Sequence, residues 1–229
     1  MTYTDIQNLN RATISYLTEN LQVGMSLAEV RSICETYMLN HGADSFWYWD
    51  IGAFVFSGDE TAVSVSGREY KTSDRLIQRN DILTVDLSPQ CNSIWGDYAR
   101  TIVVENGQVV DDINRINNTL WRRGLQTEIF LHRALMETVA SNMTFEELYL
   151  HMNALISGCG FLNLDFSGNL GHSIVKRRQD RVYIEKGNDL PLSKAGMFTF
   201  EPHIGIPGSP FGFKREDIYY FERGELKRL

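Results

Sequence analysis

The 229-residue sequence contains nothing close to the roughly 18 consecutive apolar residues that a membrane-spanning helix needs. Its start, Met1-Thr2-Tyr3-Thr4-Asp5, lacks the basic opening and apolar centre of a secretory signal, so a cytoplasmic chain with no membrane partner is expected. Cysteine is sparse. Cys34, Cys91 and Cys159 are odd in number, far apart and free of any CxxC spacing, which argues against a thiolate zinc cage or redox pair and points to buried free thiols. Positive charge is in deficit: the formal net charge of −7 argues against a nucleic-acid partner, because phosphate binding needs clustered Lys and Arg. The short groups Arg177-Arg178 and Lys227-Arg228 read as solvated surface.

What remains is an ordinary globular composition, 43% apolar and 22% charged, sufficient for one sizeable core. Within it Asp86, Asp97, His172, Glu201 and Glu216 stand out. Asp86 closes the strand-like run Asp81–Asp86, and Asp97 opens a second run, Trp95–Val104, across a turn containing Ser88, Pro89 and Asn92. That predicts a hairpin with an inward carboxylate on each arm. Met197–Glu201 and Lys214–Phe221 repeat the design around a stretch rich in Pro and Gly, and Gly171-His172-Ser173-Ile174 offers one imidazole between the two. The aromatic run Phe46-Trp47-Tyr48-Trp49 fits a pocket wall, a dimer contact or a buried strand before the site.

The halves also repeat. Met25–Val30 aligns with Met143–Leu148 at an offset of 118, and each carries a capping box, Ser26 with Glu29 and Thr144 with Glu147, that opens a helix. Gly42 and Gly160, at the same offset, supply helix stops. Apolar residues at helical spacing predict a long helix from Ile113 through Leu135 and a weaker counterpart over Ile6–Leu17. Thr84-Val85-Asp86 aligns with Thr199-Phe200-Glu201 at an offset of 115, so a ligand candidate of one half falls on one of the other. The expectation is a single catalytic domain over 1–229 built from pseudo-repeats of about 1–110 and 111–229, each helix, helix, strands. Four acids brought to one centre raise one another's pKa values, and bound cations are the natural compensation. Oxygen-rich ligation with one imidazole and no thiolate suits two divalent ions, Mn, Co, Fe(II) or Zn.

These residues resemble the pita-bread metallohydrolases: methionine aminopeptidases, aminopeptidase P, prolidase and creatinase. The likeness rests on the eleven-residue step from Asp86 to Asp97, Gly171-His172, Glu201-Pro202 and Arg215-Glu216-Asp217, and it runs from about residue 9 to 221. It implies an α+β pita-bread fold with pseudo-twofold halves around a curved antiparallel sheet. It implies further that Asp86 binds one metal, His172 and Glu201 the other, and that Asp97 and Glu216 bridge them. Two-metal hydrolysis follows, in which the cations acidify a water and polarise the carbonyl under attack, with Glu201 moving a proton to the leaving amine.

The chain departs from that pattern at two outer histidines. Peptidases of this fold usually place one about eighteen residues before the first Asp and one seven after the metal-binding His. No histidine lies between His41 and His132, Gln179 stands at the latter position, and Ser173 and Val175 replace the usual glycines after His172. His203 could re-supply an imidazole; Gln179, Arg177, Arg178, Arg68 and Tyr70 lie near the vacated positions and are candidates for substrate contact. The separate amino-terminal domain of prolidase-like relatives is not expected. Three readings result: a dinuclear peptidase removing an N-terminal residue or cleaving an Xaa-Pro peptide; a same-fold hydrolase or lyase acting on a small non-peptide molecule, as in creatinase; and a non-catalytic binding module. Partners would be a short peptide or small molecule and, in the assembled enzyme, a second copy in a homodimer.

Overall fold

A computed structural model describes residues 1–229. The first half runs through helices α1 (Tyr3–Asn20) and α2 (Leu27–Asn40), then strands β1 (Ser45–Phe46), β2 (Ala53–Ser57), β3 (Asp81–Leu87), β4 (Pro89–Cys91), β5 (Ile94–Trp95), β6 (Tyr98–Glu105) and β7 (Gln108–Val109). The second half repeats the succession with α3 (Thr119–Thr138) and α4 (Phe145–Gly158), then β8 (Leu162–Asn163), β9 (Met197–Phe200), β10 (His203–Gly205), β11 (Gly212–Lys214), β12 (Asp217–Glu222) and β13 (Glu225–Arg228). All pairing is antiparallel, and the expected curved sheet is divided into four: β2-β3-β6-β7, β9-β12-β13, β8-β10-β11 and β1-β4-β5.

The capping boxes form as the spacing predicts. Ser26 Oγ accepts from the Glu29 backbone while Glu29 returns to the Ser26 N–H, and Thr144 and Glu147 do the same on α4. A third box, Thr2 with Asp5, opens α1. The repeat extends to the chain facing each cap: Ser26 bridges to Leu76, and Thr144 bridges to Pro191.

The long helix expected from Ile113 starts later. Ile113–Arg115 forms a 3₁₀ turn, and α3 opens at Thr119 under an Asn118 cap. The Glu105 carboxylate accounts for the delay: it accepts the backbone N–H groups of Asn117 and Asn118 at 2.8 Å each and pins that segment outside the helix. The apolar stripe is still used, because Ile116 enters the core from the connection.

Each helical pair covers one sheet face. Leu9, Leu17, Leu27 and Val30 pack on Leu83, Val85 and Leu87 of β3 and on Ile102 and Val104 of β6; Leu131, Leu135, Phe145 and Leu148 pack with Phe198, Phe200 and Tyr219 in the second half. Fully burying each such side chain contributes about 1.5–3 kcal/mol. Strand alternation decides what happens on the other face of β3. With Leu83, Val85 and Leu87 committed to the helices, Thr84 and Asp86 point into the central cavity.

The two predicted hairpins each carry a smaller hairpin at the tip, β4–β5 in the first and β10–β11 in the second. The arms are consequently shorter than expected. Trp95–Val104 breaks at Gly96-Asp97, and Lys214–Phe221 breaks at Arg215-Glu216, so Asp97 immediately precedes β6 and Glu216 immediately precedes β12. The halves meet along this seam. Thr101 Oγ donates to the Lys214 carbonyl at 3.1 Å and accepts from its N–H at 2.9 Å, and the Glu216 N–H donates to the Ala99 carbonyl at 3.0 Å.

Candidate metal centre

Asp86 lies on β3, opposite Ala99 of β6, and Asp97 sits in the break before β6. Glu216 occupies the equivalent break before β12, and Glu201 follows β9 as Asp86 ends the inward run of β3. Ligand oxygens of Asp86, Asp97 and Glu216 lie within 4.8 Å of one another. His172 Nε2 stands 3.5 Å from Asp97 Oδ2 and 3.8 Å from Glu201 Oε1. The fold thus brings together all five residues singled out in the sequence.

The imidazole is placed by close backbone packing. Gly171 has φ +139°, and a Cβ there would lie 2.3 Å from the Thr199 carbonyl oxygen, so only glycine fits. The approach lets the Thr199 N–H donate to the His172 carbonyl at 2.7 Å, while Thr199 Oγ accepts the His172 N–H at 3.0 Å.

One cation already stands among the acids. Lys214 Nζ is 2.6 Å from Asp86 Oδ2 and 3.2 Å from Glu201 Oε2, and both carboxylates hold the ammonium well above its usual pKa against the opposing push of burial. Burial pushes the Glu201 carboxyl up, but Lys214, His172 and Arg181 outweigh it and hold Glu201 below the ordinary range. Asp97 goes the other way: burial first, then the neighbouring Asp86 and Glu201 carboxylates, raise it to about 7. Glu216 is raised well above its usual value by burial and then by Asp97, Glu201 and Asp86. Neither Glu216 oxygen has a hydrogen-bond partner. Four carboxylates against one ammonium, with a buried carboxylate orphaned at both oxygens, is a donor set that fits divalent cations.

The surrounding cavity, about 380 Å³, is lined by Asp86, Asp97, His172, Glu201 and Lys214 and by aromatic residues including Trp47, Tyr48, Phe54 and Tyr183. Of the Phe46–Trp49 run, Trp47 and Tyr48 reach the cavity while Trp49 is exposed under the Arg68 guanidinium. His203 also lines the wall. Its Nε2 donates to the Thr61 carbonyl at 2.7 Å, and burial followed by Lys214 lowers its pKa to about 4, so the ring is neutral with Nδ1 as an acceptor.

The expected substrate-contact residues lie outside the lining. Arg177, Arg178 and Gln179 are exposed; Arg177 pairs with Asp180 and Arg178 donates to the Trp47 carbonyl. Arg68 stacks on Trp49, and the Tyr70 hydroxyl is consumed by the Val55 backbone at 2.9 and 3.2 Å. Cavity residues that the sequence reading passed over are Lys214, Arg181, Tyr183 and Asp165. For Lys214 a signal existed: it stands two residues before Glu216, the spacing that places side chains on one face of an extended chain.

The profile of metallopeptidase family M24 matches residues 3–223. The chain belongs to this family. Among curated M24 relatives, an Xaa-Pro dipeptidase from Pyrococcus furiosus is 25% identical over 211 residues, 92% of this chain and 55% of that protein. A methionine aminopeptidase from Helicobacter pylori is 24% identical over 207 residues, 86% of this chain and 75% of that one. The solved prolidase from Pyrococcus furiosus superposes with a TM-score of 0.79 at 23% identity, over 98% of this chain and 61% of its own. An X-Pro aminopeptidase from Thermotoga maritima gives 0.75 at 22% identity, over 99% and 58%. These superpositions establish the pita-bread fold of the M24 enzymes. This M24 chain spans little more than half the length of the Pyrococcus dipeptidase it matches. No helix is long and apolar enough to cross a membrane.

Proposed function

We propose that this M24 chain is a dinuclear metal-dependent peptidase that removes an N-terminal residue or cleaves a short Xaa-Pro peptide. The convergence of Asp86, Asp97, His172, Glu201 and Glu216, with both Glu216 oxygens unpartnered, carries this reading. By the resemblance to the family, Asp86 would hold one ion, His172 and Glu201 the other, and Asp97 and Glu216 both. Bound there, two divalent cations supply Lewis acidity toward a carbonyl and lower the pKa of water. Glu201, kept ionised by Lys214 and His172, is the base able to accept a proton and pass it to a leaving amine. Lys214 holds Asp86 and Glu201 in place and offsets part of the negative charge. The Trp47 and Tyr183 rings, each packed against the His172 imidazole, give the cavity an apolar wall beside that candidate ligand.

The test is metal content together with turnover. With added Mn, Co, Fe(II) or Zn the protein is expected to take up two ions per chain and to hydrolyse an Xaa-Pro dipeptide or a Met-peptide. Asp97→Ala removes a ligand predicted to serve both ions and should abolish metal-dependent turnover; unchanged turnover in that variant refutes the site. A second reading, hydrolysis or lysis of a small non-peptide molecule, is favoured by the absent outer histidines, since Gln179 is exposed and His203 offers only an acceptor. Two bound ions without turnover of either peptide class would select it.

A further inference from the structure

A second cleft, about 340 Å³, has three arginines and no acid in its wall. Helix α3 supplies one side through Ile129, His132, Arg133 and Met136, the i, i+3, i+4, i+7 spacing of a single helical face. The other side is Arg215 with Tyr219 of β12 and Arg228 of β13; Tyr219 and Arg228 are paired across the two strands and so share a sheet face. Arg215 and Glu216 are consecutive in the break before β12, yet Glu216 belongs to the acid cluster and Arg215 lines this cleft. The volume falls within the about 300–1,000 Å³ of small-molecule pockets.

The three guanidiniums are unusually idle. Arg215 Nε is buried without a hydrogen-bond partner and stands 3.4 Å from Asp217 Oδ2, an oxygen that itself accepts no hydrogen bond. Arg228 Nη1 is 3.9 Å from the same oxygen, and Arg133 Nε is 3.8 Å from Glu137 Oε1, both too long for a hydrogen bond. Arg100 shows what an engaged guanidinium looks like here, donating to Asp217 Oδ1 at 2.7 Å. His132 and Tyr219 are already bonded to each other at 2.7 Å, so the arginines are the groups left to hold a ligand.

The charges do not balance. Four guanidiniums, Arg100, Arg133, Arg215 and Arg228, face two carboxylates, Asp217 and Glu137, which leaves two positive charges in excess on a chain whose net charge is −7. Glu128 does not offset them: it is buried with both oxygens unpartnered, and burial raises its carboxyl well above the ordinary range, keeping it neutral. A phosphate monoester supplies two negative charges and three acceptor oxygens, and arginine forks match that geometry bidentately. Ile129 and Met136, exposed on the α3 side, add apolar surface for the body of such an ester.

We infer that this cleft, between α3 and the β12–β13 hairpin, binds a phosphate dianion through Arg133, Arg215 and Arg228. The site is separate from the acid cluster, and the inference is independent of the peptidase reading.

Calorimetric titration of the full chain with phenyl phosphate, inorganic phosphate and benzenesulfonate tests it, at about pH 7.5 where the ester is doubly charged. Phenyl phosphate should bind once per chain, and benzenesulfonate, a monoanion with the same ring, at least about 10-fold more weakly. Arg215→Met should abolish the binding. Arg228→Met should weaken it about 10-fold and Arg133→Met at least about threefold, and these two surface variants carry the test if Arg215→Met does not fold. Asp97→Ala, which disables the candidate metal centre, should leave it unchanged. No binding of either phosphate, affinity untouched in Arg228→Met and Arg133→Met, or binding lost in Asp97→Ala overturns the inference, the last because the anion would then sit at the metal centre. Phenyl phosphate bound more tightly than inorganic phosphate identifies an ester as the ligand; equal affinity identifies the free ion, and either upholds the site.

Discussion

A fully buried carboxylate with neither oxygen hydrogen-bonded is costly, and Glu216 pays that cost at the centre of the molecule. Glu216→Gln should therefore lose metal uptake while the metal-free protein remains at least as resistant to urea as the wild type; a large loss of stability without metal would mean that the carboxylate has a structural partner. His132, on the far side of the same strand break, shows the opposite management of a buried titratable group. Its Nε2 donates to the Arg215 carbonyl at 3.1 Å and its Nδ1 accepts the Tyr219 hydroxyl at 2.7 Å, so the neutral ring is satisfied at both nitrogens and burial lowers its pKa from 6.5 to about 3. Between those values the unfolded chain binds a proton that the folded chain refuses. The resulting stability is present above pH 6.5 and is lost as pH falls toward 3. His132→Gln should flatten the dependence of unfolding free energy on pH across that interval, measured by urea titration. The candidate ligands at this scale were legible because a carboxylate or an imidazole carries its chemistry wherever it sits. Arg181 was not, since Lys176, Arg177, Arg178 and Arg181 form one basic run and nothing in the run marks which member turns inward.

Elements place these groups through a few local devices. The capping boxes at Ser26 and Thr144 start equivalent helices in the two halves, and Ser26→Ala and Thr144→Ala should each cost about 1 kcal/mol of unfolding free energy, additively and with metal stoichiometry unchanged. Gly171 is more demanding. With its Cβ position 2.3 Å from the Thr199 carbonyl oxygen, Gly171→Ala must push His172 away from β9, and metal affinity is expected to fall well before the fold does. Calorimetry with manganese, set beside a thermal melt, separates those two effects. Strand breaks were the least readable elements. Trp95–Val104 has the composition of one strand, yet it divides at Gly96, whose carbonyl accepts the Trp47 indole N–H at 3.0 Å and whose missing side chain leaves room for Asn10. Those partners lie in distant sequence and leave no mark on the local pattern. The helix start at Thr119 escaped for a similar reason, because the carboxylate that delays it belongs to Glu105 on β6.

At the scale of the whole molecule the site exists only where the halves join. Arg100 is the principal clasp: it donates at 2.7 Å to the Ala99 and Glu216 carbonyls and to Asp217 Oδ1, while its guanidinium lies 3.7 Å above the Tyr98 ring. Arg100→Met would leave the Asp217 carboxylate buried with weaker partners, and a loss of about 3–5 kcal/mol is expected, accompanied by weaker metal uptake because Glu216 shares the same seam. Unchanged stability in that variant would show that the other seam contacts, among them the Thr101–Lys214 and Glu216–Ala99 hydrogen bonds, hold the halves without Arg100. The sequence by itself determined the duplication, the helix caps, the inward carboxylates and the five candidate ligands, because capping, alternation and ligand chemistry act over a few residues. Tertiary structure alone decided that Lys214 stands between Asp86 and Glu201, that His203 is tied to Thr61, and that Arg181 is caged by rings from distant segments. These depend on contacts between residues far apart in the chain, and such contacts are fixed by packing the two halves against each other.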